Sequence, residues 1–427
     1  MMSRESAQQS AKGEDRPKVM LDDQNRPFLI PERVAAHHRL TKGSLIIADN
    51  EQNVLSLRPT ADLLAKLYIE PTSNCNLHCR TCIRNSWDEP TGMMDKETFE
   101  RIIVGIEELP LRPTVFFGGF GEPLSHPEIV EMIRRVNVIG LRTELITNGT
   151  LLTEVMTRNL IQAGLDRLWV SLDGATPSSY SDVRLGAELP KVLANIERFS
   201  DVQRRRGVKA PQLGIAFVAM KRNIADLPAL LRLAQELGAS AFHVSHVLPY
   251  TRALLDEALY RDLVNEEAYP AQDRLTVTLP RLDPALIFPE ILLQTLTGSA
   301  RLVVAGVPVD TGRNLCPFIE QGAAAIAWDG EMSPCLELLH THTSFLNGAE
   351  RVTNRYVIGN VQERSISDLW RDREYAAFRR RVTEFAFAPC AYCGSCSLAL
   401  ENGEDCYGNP APSCGGCLWA QGLIHCP

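Results

Sequence analysis

Three thiols fall within eight residues of the chain, Cys75-Asn-Leu-His-Cys79-Arg-Thr-Cys82, at C-x3-C-x2-C spacing. The stretch follows the apolar, strand-like run Lys66-Leu-Tyr-Ile-Glu-Pro-Thr72, which puts the triad on the loop after a strand. Three thiolates on one loop can hold three irons of a [4Fe–4S] cube and leave the fourth open to chelation by a small molecule. Zinc is the rival reading, because C-x2-C pairs also build zinc sites. A structural zinc site closes with four ligands, and the local addition on offer is His78, inside the C-x3-C loop where a tetrahedron closes awkwardly.

The triad, followed by a Gly-Gly-x-Gly-Glu-Pro turn in Gly118-Gly-Phe-Gly-Glu-Pro123, resembles the radical S-adenosylmethionine (SAM) superfamily. The resemblance implies that Cys75, Cys79 and Cys82 ligate a [4Fe–4S] cluster whose open iron takes the amino and carboxylate groups of SAM. One electron then cleaves SAM to methionine and a 5′-deoxyadenosyl radical. The residue before the third cysteine is usually aromatic in that family, and here it is Thr81.

The elements that must position these residues are bounded by size and composition. A chain of 427 residues implies two or three domains. Apolar content of 45% and charged content of 22% fit a soluble globular protein. A net charge of −8 argues against broad nucleic-acid or anionic-membrane binding. No apolar run approaches the roughly 20 residues of a membrane span. The start, Met-Met-Ser-Arg-Glu-Ser-Ala-Gln-Gln-Ser, lacks the apolar core of a signal peptide, so a cytoplasmic location is expected. The 12 cysteines then argue for metal rather than disulfides. Three lie at 75–82, the rest at 316–426 and none between, which points to two separate metal-binding regions.

Residues 1–15 are polar and aperiodic and read as a disordered tail. Over 16–60, short β-rich runs separated by Asp22-Asp-Gln-Asn25 and Asp49-Asn-Glu-Gln52 turns read as hairpins. They resemble the AbrB-like swapped-hairpin module, in which the hairpins of two chains interleave and many members bind DNA. Residues 18–58 carry six Lys/Arg against five Asp/Glu, so there is no basic face, and homodimerisation or docking is the expected role. From residue 66 strand and helix patterns alternate. Strands are expected at 66–72, 114–119, 142–147, 167–172, 213–220 and 241–247, and helices at 95–109, 127–139, 153–163, 188–206 and 226–237. Six β/α repeats imply an α/β fold with a parallel, right-handedly wound sheet. The resemblance implies a partial (β/α)6 barrel, here spanning 64–250, with ligand-binding residues at the carboxyl ends of the strands.

The motifs fall at those ends. Gly118, Gly119 and Gly121 allow close backbone approach to a ligand, and the resemblance implies that this turn, with Glu122 and Pro123, receives the SAM amino group. Thr147-Asn148-Gly149 ends the third strand and Ser171-Leu-Asp173-Gly the fourth. Relatives use such a Ser and a following Arg for the SAM ribose and carboxylate. Arg184 fits that later position, and a guanidinium suits a bidentate grip on a carboxylate. Asp173 has the alternative of capping a turn. His243 and His246, three apart in the sixth strand, face opposite sides, so at most one points into the barrel, near adenine or substrate.

Residues 251–312 read as a cysteine-free bridge with a helix and a β-hairpin. Beyond it, 313–427 carries Cys316-x13-Gly330-x4-Cys335, then Tyr356-Val-Ile-Gly-Asn-Val361 and Ser367-Asp-Leu-Trp370. The block Cys390, Cys393, Cys396, Cys406, Cys414, Cys417 and Cys426 follows. The pattern resembles the SPASM domain, which usually holds two auxiliary [4Fe–4S] clusters. Eight thiolates fully ligate two cubes, so one of the nine is spare. The family's central spacing is C-x2-C-x5-C-x3-C, and this chain has C-x2-C-x2-C-x9-C. One auxiliary cluster plus a zinc site, or a zinc-ribbon tail, are the alternatives. SPASM relatives usually act on peptides or proteins, forming thioether or carbon–carbon crosslinks or oxidising a residue. A narrower resemblance rests on Cys82-Ile-Arg-Asn-Ser-Trp87, the Gly118–Pro123 turn, Cys414-Gly-Gly-Cys-Leu-Trp-Ala-Gln-Gly422 and the N-terminal hairpins. It is to the radical SAM maturases associated with tungsten-cofactor oxidoreductases of the aldehyde:ferredoxin type. The expectation is therefore a radical SAM/SPASM maturase that abstracts hydrogen from a protein, peptide or cofactor substrate, with ferredoxin or flavodoxin as electron donor. The rivals are a peptide-modifying enzyme unrelated to tungsten and a non-enzymatic iron–sulfur DNA-binding regulator.

Overall fold

The computed structural model describes residues 63–109, 111–260, 316–391, 393 and 396–426, together with the backbone of short strands within 18–59 and 276–308. The expected tail at 1–15 lies outside the described residues, and the expected bridge opens with one short helix, Arg252–Leu255. The chain forms two compact units, Met1–Thr60 and Ala61–Pro427. In the first, two antiparallel hairpins appear where the turn chemistry places them: Lys18–Leu21 with Pro27–Ile30, and Ile46–Glu51 with Val54–Pro59. In the bridge, Thr276–Leu279 pairs parallel with Arg301–Val304, which pairs antiparallel with Val307–Pro308.

The second unit is built on one nine-stranded sheet. Its first six strands are β1 (Lys66–Ile69), β2 (Thr114–Phe117), β3 (Thr143–Thr147), β4 (Arg167–Ser171), β5 (Gln212–Ala219) and β6 (Ala241–His246). All five pairings among them are parallel and sequential. This is the α/β, (β/α)6 arrangement expected of the radical SAM fold. The inner strands read as near-continuous apolar runs because helices cover them and both faces are buried, as parallel sheets require, while the edge strand β6 is more open, with Val244 exposed. Leu67, Ile69, Val115, Phe117, Leu145, Leu168, Val170 and Ile215 are all fully buried.

The helices follow their apolar spacing. In α1 (Lys96–Glu107), Phe99, Ile102, Ile103 and Ile106 face inward, each contributing about 1.5–3 kcal/mol of burial. Asp95 starts it by accepting the Thr98 N–H at 2.7 Å. α2 (Ile129–Val138) and α3 (Glu154–Ala163) follow β2 and β3. The β4–β5 connection holds α4 (Pro177–Val183), which sequence periodicity is too short to reveal, and α5 (Leu189–Arg206), whose Leu189, Val192, Ile196 and Phe199 form one buried stripe. The last of the set, α6 (Leu227–Glu236), precedes β6.

The sheet does not stop at β1. β7 (Ala323–Ile326) pairs parallel with its free edge, Ala323 opposite Lys66 and Ile326 opposite Ile69. β8 (Glu331–Ser333) pairs antiparallel with β7, and β11 (Gly359–Asn360) with β8. Between these lies the hairpin of β9 (His342–Leu346) and β10 (Ala349–Thr353). The small side chains of Ala323, Ala324 and Ala325 are fully buried against the barrel edge. The Ser367-Asp-Leu-Trp370 segment forms α7 (Ile366–Trp370), with Ile366 set over Gly105 of α1, and α8 (Arg373–Glu384) follows. The cysteine-rich end of the chain thus extends the barrel sheet.

Candidate active site

The carboxyl ends of β1 to β6 converge on a cavity of about 1050 Å³, lined by Cys75, Cys79 and Cys82 on one side. The three sulfurs carry no disulfide, and each has N–H donors close by. Leu77 N lies 3.5 Å and Asn148 Nδ2 3.9 Å from Cys75 Sγ. Arg184 Nη1 lies 3.8 Å from Cys79 Sγ and Arg84 Nε 3.3 Å from Cys82 Sγ. Burial pushes the Cys75 and Cys79 thiols up, with Arg84 and Arg184 respectively opposing it. Thiols in that state give up their protons to a metal rather than to water, and cationic donors on the sulfurs favour the charged, reduced form of a cluster. The donor set suits a three-thiolate iron–sulfur cluster.

The glycine-rich turn is pressed onto the start of the cysteine loop. A Cβ at Gly121 would sit 2.1 Å from the Thr72 carbonyl oxygen, and Gly119 adopts φ of +117° beside Glu70, a region open to glycine. Glu122, fully buried, accepts Thr147 Oγ1 at 2.7 Å, Asn148 N at 2.8 Å and Leu124 N at 3.0 Å, so it ties the β2 turn to the β3 turn. Burial raises its pKa and those three donors oppose the rise. Gly119, Gly121, Glu122, Thr147, Asn148, Ser171 and Arg184 all line the cavity with the triad, while Gly118, Pro123 and Asp173 do not. Asp173 stands behind Arg184: its Oδ2 takes Arg184 Nε at 2.6 Å and its Oδ1 takes Val218 N at 2.8 Å. Arg184 caps the carboxyl end of α4, which starts with a reciprocal Thr176–Ser179 cap, so a short helix and a buried carboxylate aim the guanidinium. Burial works against its charge, and Asp173 and Cys79 outweigh burial, so it stays a fixed cation. Of the two histidines, His246 lines the cavity, and His243 packs edge-on to Trp169.

The C-terminal thiols divide by the cavities they line. Cys316, Cys335, Cys414 and Cys417 line one largely buried pocket. Burial pushes Cys316 up to about 11 and Cys417 to about 12. Cys393 and Cys396 line a second space of about 650 Å³, and burial raises the nearby Cys390 thiol while Arg351 opposes the rise. Buried Arg351 lines both spaces and donates to the Ala399 carbonyl. Cys426 belongs to neither group and lines the barrel cavity with Trp419, Ile424 and His425. Among the described residues no three His, Cys, Asp or Glu side chains close on one point as on a single ion; the thiols ring wider spaces in groups.

Sequence reasoning missed a second buried network. Glu70, at the end of β1, accepts Phe120 N at 3.0 Å through Oε1 and meets His340 Nε2 at 2.8 Å through Oε2. His340 Nδ1 meets Glu89 Oε2 at 2.7 Å. The Trp87 ring lies tilted against His340, centres 4.3 Å apart, and edge-on to Phe120 at 5.7 Å. The available signal was an acidic residue closing an apolar strand, in Tyr68-Ile-Glu-Pro71.

Comparison with known proteins adds the following. The radical SAM superfamily model matches residues 69–266, and the SPASM iron–sulfur cluster-binding domain matches 316–397. The tungsten-containing aldehyde ferredoxin oxidoreductase cofactor-modifying protein of Pyrococcus furiosus is 33% identical over 371 residues, 84% of this chain and 96% of that protein. The PqqA peptide cyclase of Gluconobacter oxydans is 28% identical over 51% of this chain and 55% of its own length. The crystal structure of Streptococcus suis SuiB aligns with a TM-score of 0.49 at 14% identity, over 92% of this chain and 94% of that one.

Proposed function

Because the chain belongs to the radical SAM superfamily and carries an iron–sulfur SPASM domain, we propose that Cys75, Cys79 and Cys82 hold the SAM-cleaving cluster and that the adjoining cavity is where substrate loses hydrogen. A [4Fe–4S] cluster held by Cys75, Cys79 and Cys82 would supply the electron for reductive cleavage of SAM. The chain's own residues bind and aim. Arg184, fixed by Asp173, presents a cation for the SAM carboxylate. The Gly119–Gly121 backbone accepts from the amino group, and Ser171 and Asn148 supply hydroxyl and amide contacts. Tyr250, Trp419, Ile424 and Cys426 wall the far side and keep water from the reacting carbon.

Cys316, Cys335, Cys414 and Cys417 are assigned to one auxiliary cluster, and Cys390, Cys393, Cys396 and Cys406 to the other. The observation that carries the substrate assignment is 33% identity with a tungsten-enzyme cofactor-modifying protein along nearly its whole length. We read the substrate as a tungsten-containing oxidoreductase or its cofactor, with a ferredoxin- or flavodoxin-type donor in the cytoplasm. The partial match to a peptide cyclase favours a peptide substrate as the second reading. Anaerobically reconstituted protein, reductant and SAM are incubated with the apo-oxidoreductase or with a short precursor peptide. Substrate-dependent formation of 5′-deoxyadenosine with the oxidoreductase supports the first reading, and stimulation by the peptide alone replaces it.

A further inference from the structure

His340 joins parts of the chain 270 residues apart. Its two ring nitrogens each meet a carboxylate oxygen, Glu70 Oε2 at 2.8 Å and Glu89 Oε2 at 2.7 Å. An ionised carboxylate only accepts, and a neutral imidazole has one N–H, so with both carboxylates ionised the two bonds together require the imidazolium. The side chains of Glu70 and His340 are 0% and 2% exposed, so each charge depends on the other. Glu89 is further anchored by Thr341 N at 2.6 Å and faces Arg355 at 4.0 Å, and Arg355 itself pairs with Asp329 and Glu331. On the same segment His342 Nδ1 meets the His340 carbonyl oxygen at 2.9 Å, and His342 Nε2 faces Glu337 Oε1 at 3.4 Å.

The other end of the network is the glycine turn. Glu70 Oε1 takes the Phe120 N–H. In a trans peptide the Gly119 carbonyl points opposite to the Phe120 N–H, so orienting one orients the other. Gly119 lines the cavity, and an amine whose lone pair is given to iron keeps two N–H donors and no acceptor, so it needs carbonyls fixed in place. Phe120 and Trp87 close over His340, with ring centres 5.9 Å and 4.3 Å away, so the brace is shielded from water.

We propose that His340 is a positioning residue for SAM: as a buried imidazolium between Glu70 and Glu89 it braces the Gly119–Phe120 peptide from the SPASM side of the fold, so that the C-terminal region sets the affinity of the barrel for the amino group of SAM. This rests on the reading of the glycine turn as the amino-group site. Burial works against the charge of His340 and its bonds to the two carboxylates outweigh it, raising its pKa. The brace is therefore present at low pH and lost as pH rises through that raised value.

The test uses reconstituted full-length protein, wild type and the variants His340→Gln and Glu89→Gln, with iron content and circular dichroism as folding controls. Trp87 emission is titrated from pH 6 to 9.5, with Trp87→Phe identifying the signal. SAM affinity is read from the change in the EPR spectrum of the reduced triad cluster. Quenching of Trp87 by the imidazolium should be relieved as pH rises and absent in H340Q. SAM affinity should fall about tenfold in H340Q, leaving only the titration of the ligand's own amine. E89Q should shift both the emission and the affinity transitions to lower pH. A folded H340Q with wild-type SAM affinity would overturn the proposal. If H340Q does not load iron, an E89Q affinity profile that overlays wild type overturns it equally. Arg184→Met and Asn148→Ala separate the two failures. If both weaken SAM binding while H340Q does not, the brace alone falls; if neither does, the site assignment falls and the brace with it.

Discussion

The two cysteine regions solve opposite problems. The triad comes from one loop of eight residues, and its sulfurs face a large cavity shared with Arg184, Asn148 and the glycine turn. The set of Cys316, Cys335, Cys414 and Cys417 is gathered from stretches a hundred residues apart and lines a largely buried pocket walled by Phe318, Leu338, Phe378 and Trp419. Under the proposed assignment, three ligands on one loop beside a cavity would leave an iron for a substrate. Four from distant segments would close the coordination sphere and tie the chain together. Ligand number and access, more than cysteine spacing, would then separate a reacting cluster from a relaying or structural one.

The sharpest way to break this comparison is to remove the triad. Changing Cys75, Cys79 and Cys82 to Ala should lower iron from about 12 to about 8 per chain and abolish 5′-deoxyadenosine formation, both read after anaerobic reconstitution. Iron unchanged by the variant would sink the assignment of the triad. The Cys335→Ala variant should instead remove about 4 irons and lower the thermal midpoint, while retaining SAM cleavage without substrate; loss of cleavage in a folded variant would mean that the enclosed cluster is not separable from the open one. Arg184→Met should weaken SAM binding by about 10- to 100-fold, the range for a charge-assisted contact, with iron content unchanged. Arg351→Met should lower the reduction potentials of the auxiliary clusters by on the order of 50 mV, since about 59 mV is a tenfold change in a one-electron equilibrium; redox titration by EPR reads this. Cys426→Ala should leave iron content as in wild type, and a loss of about 4 irons would place Cys426 among the cluster ligands.

Much of the barrel was legible from sequence, because each strand is a short apolar run and each long helix carries one apolar stripe. The ends of all six strands lie within a few residues of expectation, and the triad, the glycine turn, Asn148, Ser171 and Arg184 meet in one cavity as strand-end logic requires. What could not be read has a common physical cause. The Glu70–His340–Glu89 network, the ranking of Asp173 behind Arg184, and the placement of Cys426 in the barrel all depend on contacts between distant segments, which periodicity does not encode. The helix α4 is too brief to show a period. The parallel pairing of Ala323–Ile326 with β1 was hidden because an alanine run carries little strand signal.

That pairing bears on how the protein is made. β1 has its full complement of neighbours only when a strand about 250 residues downstream has been synthesised, which at 5–20 residues per second is roughly 10–50 s after β1 emerges. Until then the edge beside the cysteine loop offers unpaired backbone groups to any other nascent strand. A truncation ending before Ala323 would leave that edge permanently open and is expected to aggregate rather than yield an isolated barrel. For the same reason, iron delivered to the triad during synthesis would enter a site whose supporting strand is still missing, so cluster loading is expected to follow completion of the chain.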